Sequence, residues 1–463
     1  MSAALKRFDE YQPSAVRWVN DVPIHWRSRR IKTFLREVDQ RSGTGEGVLL
    51  TMRRASGLVP LSDFSDKITE PERLRHYKVA SPGQIVMNPM QAGNGMFAIC
   101  HTPGLISPDY RAFELTDEAD ARYLIALFKS EAMRATFRAE SKGLGTGTAG
   151  FLRLYPHRFG SLFAPFPPPE EQRRIADFLD AYTAQVHRLI AAKRRTIAAL
   201  IERKQAIIEG LLGAGVGQAS QSIFHPVVGQ MPGHWRVARL KDWCEVNART
   251  LPESTPKDFI FDYFDISVVG TGVLTGEPQS ITFDSAPSRA RRRIAPNDIL
   301  ISTVRTYLKA IYFFQGWSRE AIASTGFAVL SPKAGVLPEL MAYALMTPRF
   351  IDVVISRSVG VAYPAIAETR LSALHLALPT DGAEQQLILD TIKADTQLVD
   401  EAIAKERSQI DLILEYRDSL IAAVVTGRLD VRDAAIPIVE GDDFDDDMAT
   451  ADEDMEYALD AVD

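Results

Sequence analysis

One ten-residue motif, called the opening phrase below, occurs twice in this chain with few differences. PIHWRSRRIK occupies residues 23–32 and PGHWRVARLK occupies residues 232–241, so that a proline, a histidine, a tryptophan, two arginines and a lysine coincide. Repetition of so specific a phrase, after almost half of the chain, is explained most simply by a duplicated domain. A duplication predicts that further landmarks recur in the same order.

Further landmarks do recur in that order. KVASPGQIVMN begins at Lys78 and RRIAPNDILIS begins at Arg292, and each joins a proline-containing turn to an apolar run typical of a strand. RAFEL then corresponds to GFAVL, and helical patterns follow over residues 123–138 and 339–355. The order favours two related mixed α/β domains.

The last repeated phrase marks the start of a long helix in each half. E-Q-x-x-I begins at Glu171 and again at Glu384, each time after a proline-containing segment. Proline is tolerated in the first turn of a helix, and acidic side chains there suit the helix dipole. Residues 170–212 contain no proline, which predicts a helix about 60 Å long.

Apolar residues recur every seven positions along both predicted helices. One such series in the first helix is Leu179, Val186, Lys193, Leu200 and Ile207. This spacing is typical of a coiled coil, and the second helix carries the corresponding series. Lys193 and Glu406 interrupt equivalent positions near the middle of the two helices. We expect these two side chains to approach each other and fix the register of an antiparallel pair; the alternative is that each reaches solvent separately.

Composition limits the class of protein. The apolar fraction is 46%, no apolar run reaches the roughly 20 residues that a membrane span needs, and the first residues do not resemble a secretory signal. Cys100 and Cys244 are the two cysteines, which predicts reduced, packed thiols in a cytoplasmic protein. The net charge is −7, but twelve acidic and no basic residues lie from Glu440 to Asp463. The remainder is therefore net basic, which permits nucleic-acid binding, and the tail is expected to be disordered.

No catalytic motif accounts for this sequence. A P-loop is absent, and the glycine-rich residues 143–150 follow a helical pattern instead of opening a βαβ unit. MNPM at residues 87–90 lacks the second proline and the aromatic residue of an adenine methyltransferase loop. His25 and His234 have no carboxylate or cysteine at metal-ligand spacing, so packing or capping is their expected role. The sequence predicts a protein without catalytic, cofactor or metal sites.

The doubled order of these phrases resembles the specificity subunit of a type I restriction–modification system. The resemblance covers residues 15–430 and depends on the Pro-x-x-Trp openings, GQIVMN, DILISTVRTYLKAIYFF, and the two helix starts. It implies an α+β fold with two tandem target recognition domains, each followed by a long helix, and an antiparallel coiled coil with pseudo-two-fold symmetry. The implied segments are recognition domain 1 (15–168), helix 1 (169–213), a linker (214–230), recognition domain 2 (231–380), helix 2 (381–430) and a tail (431–463).

The resemblance also implies partners. Each recognition domain would read one half of a split double-stranded DNA target, and the helices would set the distance between the halves. The chain would bind two copies of a methyltransferase subunit, which uses S-adenosylmethionine, and a restriction subunit, which uses ATP and Mg²⁺. A scaffold that binds only proteins is the alternative from another class.

Residue types suited to DNA contact lie between the repeated phrases. Arginine and lysine suit guanine and phosphates, whereas asparagine and glutamine suit adenine. The expected DNA-binding residues are Arg73, Arg75, Gln91, Asn94, Lys142, Thr146 and Thr148 in the first half, and Arg289, Arg291, Arg292, Arg293, Arg305, Tyr307, Lys309 and Tyr363 in the second. A solvated charged turn is the alternative for the four clustered arginines.

Overall fold

The chain divides into two compact units, and each of the two long helices contributes residues to both units. The structure is a computed structural model, and it describes residues 5–54, 56–65, 70–144, 151–216, 221–226, 228–360 and 363–436. Unit 1 combines the described residues up to Arg194 with those from Ser408 onward, and unit 2 is Arg195–Arg407. The predicted acidic tail from Glu440 lies outside the described residues.

Unit 1 is built from short strands and helices followed by the first half of a long helix. Its strands are β1 (Tyr11–Pro13), β2 (Asp21–Pro23), β3 (Arg27–Arg30), β4 (Leu35–Val38), β5 (Leu50–Arg53), β6 (Gly57–Pro60), β7 (Lys78–Ala80), β8 (Ile85–Met87), β9 (Phe97–Ile99), β10 (Gly104–Ile106), β11 (Arg111–Leu115), β12 (Lys142–Leu144), β13 (Phe151–Arg153) and β14 (Phe163–Phe166). Its helices are α1 (Pro71–Leu74), α2 (Ala121–Lys129), α3 (Glu131–Glu140), α4 (Pro156–Ser161) and the long α5 (Pro169–Ala214), which continues into unit 2.

Unit 2 contains a comparable set of elements. Its strands are β15 (Ser222–His225), β16 (Gly229–Pro232), β17 (Arg236–Arg239), β18 (Cys244–Val246), β19 (Ile260–Phe264), β20 (Gln279–Thr282), β21 (Ala290–Ile294), β22 (Asp298–Ser302), β23 (Ile311–Phe314), β24 (Ala321–Ser324), β25 (Phe327–Pro332) and β26 (His375–Leu378). Its helices are α6 (Leu240–Trp243), α7 (Pro338–Leu345), α8 (Pro348–Arg357), α9 (Glu368–Ser372) and the long α10 (Gly382–Val425), which continues into unit 1.

The central sheet has the same strand order in both units. It is β4-β11-β8-β9 in unit 1 and β18-β25-β22-β23 in unit 2, with antiparallel neighbours throughout. The strand that follows each HisTrp phrase pairs with the strand before each long helix, as β3 with β14 and β17 with β26. Unit 2 has an additional four-stranded sheet, β20-β19-β24-β21. The repeated phrases therefore occupy matching strands.

Each predicted mid-domain helix is in fact two helices. The patterns over residues 123–138 and 339–355 predicted one helix each, but α2 ends before Ser130 and α7 ends before Met346. Ser130 is extended (ψ 143°), and its hydroxyl donates to the carbonyl of Leu127 at 2.7 Å. In unit 2, Pro348 disfavours helical geometry at Thr347, which caps α8 with ψ 140°. Periodicity continues across both breaks because the paired helices cover the same core.

Aromatic residues fill the core of unit 1 beneath the central sheet. Phe97 of β9 lies 5.1 Å from Phe128 and 5.2 Å from Phe137, measured between ring centroids. Asp120 caps α2 by accepting from the backbone N–H groups of Arg122 and Tyr123. The cap fixes where α2 begins and so directs its apolar face onto the sheet.

Both long helices end at a glycine in the left-handed region. Gly215 follows α5 and Gly427 follows α10, each with φ +73°. A Cβ at Gly427 would lie 2.4 Å from Pro23 Cδ, and a Cβ at Gly215 would lie 2.9 Å from Pro232 Cγ. The repeated proline of each opening phrase thus contacts a helix end whose conformation favours glycine.

The two long helices share a core in each unit. In unit 1, Phe178 and Leu179 of α5 belong to the same buried cluster as Leu420 and Val424 of α10. In unit 2, Ile208 and Leu212 of α5 belong to the same buried cluster as Ile388 and Ile392 of α10. Residues of α5 and α10 therefore pack into one core in unit 1 and into another in unit 2.

Polar contacts also join the helices within the units. Lys193 Nζ donates to Gln409 Oε1 in unit 1. Lys204 Nζ lies 2.7 Å from Asp400 Oδ1 in unit 2. The expected approach of Lys193 to Glu406 stays a prediction.

The segment between the halves contains regular structure. The sequence predicted a linker over residues 214–230, but β15 pairs with β16 in a hairpin whose register joins Ser222 to Pro232.

In the part of the chain that the structure describes, no helix has both the length and the hydrophobicity of a membrane span.

Candidate nucleic-acid interface

Each unit brings together two loops that lie far apart in sequence. In unit 1 the loop between β8 and β9 meets the segment after β13, where the N–H of Leu154 donates to the carbonyl of Pro89 at 2.9 Å. In unit 2 the loop between β22 and β23 meets the segment before α9, where the N–H of Ile366 donates to the carbonyl of Thr303 at 2.8 Å. The same backbone connection thus assembles a loop pair in both units.

The unit 1 loop pair carries two of the residues predicted to bind DNA, and a third lies on the adjoining strand β12. Gln91 and Asn94 are exposed at the two ends of a 3-10 helix, and Gln91 Oε1 accepts from Asn88 Nδ2 at 3.4 Å. Lys142 is exposed on β12, opposite Arg153 of β13. The amides and the ammonium can therefore offer hydrogen bonds to a ligand. Thr146 and Thr148 lie outside the described residues.

Arg73 and Arg75 belong to a different element of unit 1. Arg73 is exposed on α1, and Arg75 is exposed immediately after it. The carbonyl of Arg75 accepts from the N–H of Gly43 at 3.0 Å. This bond ties α1 to the segment after β4 and not to the loop pair.

The unit 2 loop pair presents two exposed tyrosines and two cations. Tyr307 and Tyr363 are 48% and 66% exposed, and the Arg305 guanidinium lies 5.0 Å from the centroid of the Tyr363 ring. Arg305 and Lys309 flank a 3-10 helix with φ values of 50° and 55°. Thr306 is buried between them, and its hydroxyl lies 2.9 Å from that of Ser358. A left-handed backbone held by a buried neighbour fixes the direction of these side chains.

The four clustered arginines differ in their charge partners. Arg289 lies 2.9 Å from Asp265, Arg292 lies 3.5 Å from Glu368, and Arg293 Nε donates to Glu320 at 2.7 Å. Among the described residues, Arg291 has no carboxylate partner, and its guanidinium lies 5.1 Å from the Phe283 ring centroid. The ion pairs reduce the positive potential that three of these arginines offer to DNA.

Unit 1 has a buried cation that sequence analysis missed. Lys78 is fully buried, and its Nζ lies 3.3 Å from Asp39 Oδ1 without hydrogen-bond geometry. Burial, together with the charge of Arg111, lowers the pKa of Lys78. Alignment of the phrases that begin at Lys78 and at Arg292 places these cations at equivalent positions, and the Nε of Arg292 is likewise buried without a hydrogen-bond partner. The repeat itself was therefore the signal for Lys78.

The repeated HisTrp phrase meets the repeated GluGln phrase in both units. Glu171 accepts from Trp26 Nε1 at 3.0 Å and lies 2.8 Å from His25 Nε2. Glu384 accepts from Trp235 Nε1 at 2.9 Å and lies 2.9 Å from His234 Nε2. Each globular part is thereby fastened to the first turn of a long helix.

The glutamine that follows each of these glutamates extends the junction. Gln172 Nε2 donates to the carbonyl of Pro167 at 2.9 Å, and Gln385 Nε2 donates to that of Pro379 at 3.0 Å. Both glutamines are buried. Within the described residues, no group of three or more His, Cys, Asp or Glu could hold a metal ion. His25 and His234 contact Glu171 and Glu384 in these junctions.

Comparisons with known proteins agree with this architecture. The family model described as type I restriction modification DNA specificity domain matches residues 232–411, which is less than half of the chain. No curated protein matches the sequence.

Three solved chains match this chain over most of its length. A chain from a type I R-M system, solved for its complex assembly and conformational transition, has a TM-score of 0.57 at 16% identity, covering 88% of this chain and 99% of that one. The HsdS subunit from Thermoanaerobacter tengcongensis gives 0.40 at 17%, with 88% and 98% covered, and the type-I S subunit from M. genitalium gives 0.34 at 13%, with 92% and 99% covered. Only the first of these TM-scores is high enough to support a shared fold. Residues 232–411 thus match the model described as type I restriction modification DNA specificity domain, and the predicted resemblance to specificity subunits is confirmed.

Proposed function

We propose that this chain is the DNA-recognition subunit of a type I restriction–modification complex. The observation that carries the proposal is the match of residues 232–411 to a DNA specificity domain, combined with a loop pair that the same backbone connection assembles in both units. The exposed groups on these loops are amides, cations and tyrosines, which suit base edges and phosphates.

The target is bipartite, with one half read by each unit. Gln91 and Asn94 occupy the β8–β9 loop, whereas Arg305, Tyr307 and Lys309 occupy the corresponding β22–β23 loop. Amides favour adenine and cations favour guanine or phosphate, so the two halves of the target differ in sequence. Duplication within one chain permits a non-palindromic site, which a symmetric dimer would not.

The long helices act as a spacer between the two readers. The Lys204–Asp400 ion pair and the buried apolar residues that α5 and α10 share within each unit support an antiparallel coiled coil. Because the rise per residue of a helix hardly varies, the length of such a pair fixes the number of unread base pairs.

The chemistry resides in partner subunits. Two copies of a methyltransferase subunit bind S-adenosylmethionine and methylate adenine, and a restriction subunit consumes ATP with Mg²⁺. This chain supplies recognition alone, as a non-catalytic subunit without a cofactor of its own. A scaffold that binds only proteins is not favoured, because the matched family is a DNA specificity domain.

Methylation mapping tests the proposal. The chain is co-expressed with its proposed methyltransferase partner, the complex is purified, and methylated adenines are mapped with and without this chain. We expect methylation at one bipartite sequence only when the chain is present. A methylation pattern that is the same with and without the chain would reject the proposal.

A further inference from the structure

Three basic residues recur in the opening phrases, and two of the six side chains lie over aromatic rings: Arg30 is 5.2 Å from the Phe163 centroid and Arg236 is 5.1 Å from the Trp243 centroid. Arg27, Arg30 and Lys32 of the first phrase correspond to Arg236, Arg239 and Lys241 of the second. The other recurring residues have structural roles, since the prolines contact the helix-terminal glycines and the HisTrp pairs bind the glutamates. The six basic side chains are exposed instead.

None of these six cations has an acidic partner among the described residues. Among the described residues, no carboxylate lies within ion-pair distance of Arg30, Lys32, Arg239 or Lys241. On the same strand as Arg30, by contrast, Arg29 pairs with Glu118. Their positive charge is therefore available to a ligand.

The four cations adjoin the loop pairs through equivalent elements. Between the two cations of unit 1, Ile31 N–H donates to the carbonyl of Leu162 at 2.9 Å, just after α4. In unit 2, Leu240 N–H donates to the carbonyl of Leu374 at 2.7 Å, just after α9. Helix α4 begins two residues after Leu154, and α9 begins two residues after Ile366. Each cation pair is thus linked by one short helix to its loop pair.

We propose that Arg30 with Lys32, and Arg239 with Lys241, bind DNA phosphates beside the two half-sites. This inference rests on the proposed function. Two readers of different sequences can differ where they contact bases, but the phosphate backbone is the same at both half-sites. Cations retained at equivalent exposed positions fit that common feature.

A protein partner fits these elements less well. Strands β3 and β17, with the short helices that follow them, expose no large hydrophobic side chain among the described residues. Protein interfaces concentrate aromatic and apolar residues at their centre, whereas phosphate contacts need only donors and positive charge.

The test uses the purified complex of the full chain with its methyltransferase subunit. The variants Arg30→Gln with Lys32→Gln, and Arg239→Gln with Lys241→Gln, remove charge but keep the side-chain stems, including that of Lys32 against Gly160. Binding to the mapped target duplex and to a scrambled duplex is measured by fluorescence anisotropy over a salt series. Two variants are the controls. Arg30→Lys with Arg239→Lys retains the charge, and Lys257→Ala removes a surface lysine that is ion-paired with Asp284.

We expect each double variant to weaken binding to both duplexes by a similar factor. The slope of log affinity against log salt should shrink by roughly 1 for each phosphate contact removed. The mapped methylation sequence should stay unchanged, and both controls should keep the parental slope.

Two results would overturn the inference. Unchanged affinity and slope would show that these cations do not contact DNA, and loss of the methyltransferase from the complex would assign them to a protein interface. A parental complex that binds the target no better than the scrambled duplex would instead refute the proposed function itself, whatever the variants do.

Discussion

Trp26 donates its indole N–H to Glu171 at 3.0 Å, across 145 positions of sequence. Trp235 makes the equivalent bond with Glu384 at 2.9 Å. The two phrases that recur most clearly in the sequence therefore recur because they contact each other. The bond holds the start of each globular part against the start of a long helix.

Removal of either glutamate should destabilise its unit. Glu171→Ala leaves the buried indole N–H of Trp26 without its acceptor, and the loss should be about 1–3 kcal/mol in the free energy of unfolding. Glu384→Ala should act in the same direction through Trp235. Urea unfolding followed by tryptophan fluorescence measures both. The exposed neighbour Glu170→Ala is the control, and equal stability of Glu170→Ala and Glu171→Ala would contradict the role of the junction.

The arginine cluster of β21 should contribute to DNA binding unevenly. Arg291→Ala combined with Arg292→Ala should weaken DNA binding and flatten its salt dependence, because Arg291 has no acidic partner among the described residues. Arg293→Ala should have a smaller effect, since Glu320 already neutralises that side chain. A salt series of duplex binding compares the variants. Equal affinity of the double variant and the parent would argue for a solvated charged turn.

Lengthening the helices should lengthen the unread gap in the target. Seven residues inserted at equivalent positions in the middle of α5 and α10 preserve the heptad pattern and add up to about 10 Å. The mapped gap should grow by about three base pairs, at ~3.4 Å each. Methylation mapping of the lengthened complex measures this, and an unchanged gap would show that the helices do not set the spacing.

Charge reversal tests the expected approach of Lys193 to Glu406. Lys193→Glu and Glu406→Lys should each lower the free energy of unfolding by about 1 kcal/mol, and the double variant should recover most of the loss. Urea unfolding of the three variants supplies the cycle. Strictly additive losses would mean that the two side chains do not interact.

Neither cysteine should react in the folded protein. Cys100 and Cys244 are free and buried, and burial raises the pKa of Cys244 to about 12. At pH 8 the Cys244 thiol is therefore almost entirely protonated, and the thiolate is the reactive form. Iodoacetamide at pH 8 should therefore leave the native chain unmodified and alkylate both cysteines in urea. Rapid alkylation of the native chain would contradict this burial.

Much of the fold could be predicted because it depends on local and repeated patterns. The heptad spacing and the absence of proline predicted a helix over residues 170–212, and α5 is Pro169–Ala214. The breaks at Ser130 and Thr347 were missed, because periodicity continues when two successive helices cover one core. The β15–β16 hairpin was missed because its residues are rich in glycine and polar side chains.

The candidate site shows more clearly what the sequence could not predict. The residues Arg289, Arg292 and Arg293 were chosen for their charge, but their partners Asp265, Glu368 and Glu320 come from other strands and loops. Lys78 begins one of the repeated phrases, but the sequence around it did not predict that its side chain is fully buried.

The sequence by itself determined the duplication, the order of the elements and the length of the first helix, because these follow from residue patterns along the chain. Only the tertiary structure decided which cations keep their charge available and which glutamates receive the tryptophan N–H groups. Ion pairs and buried hydrogen bonds join residues that are distant in sequence, so they depend on strand register and on the direction in which each loop leaves the sheet.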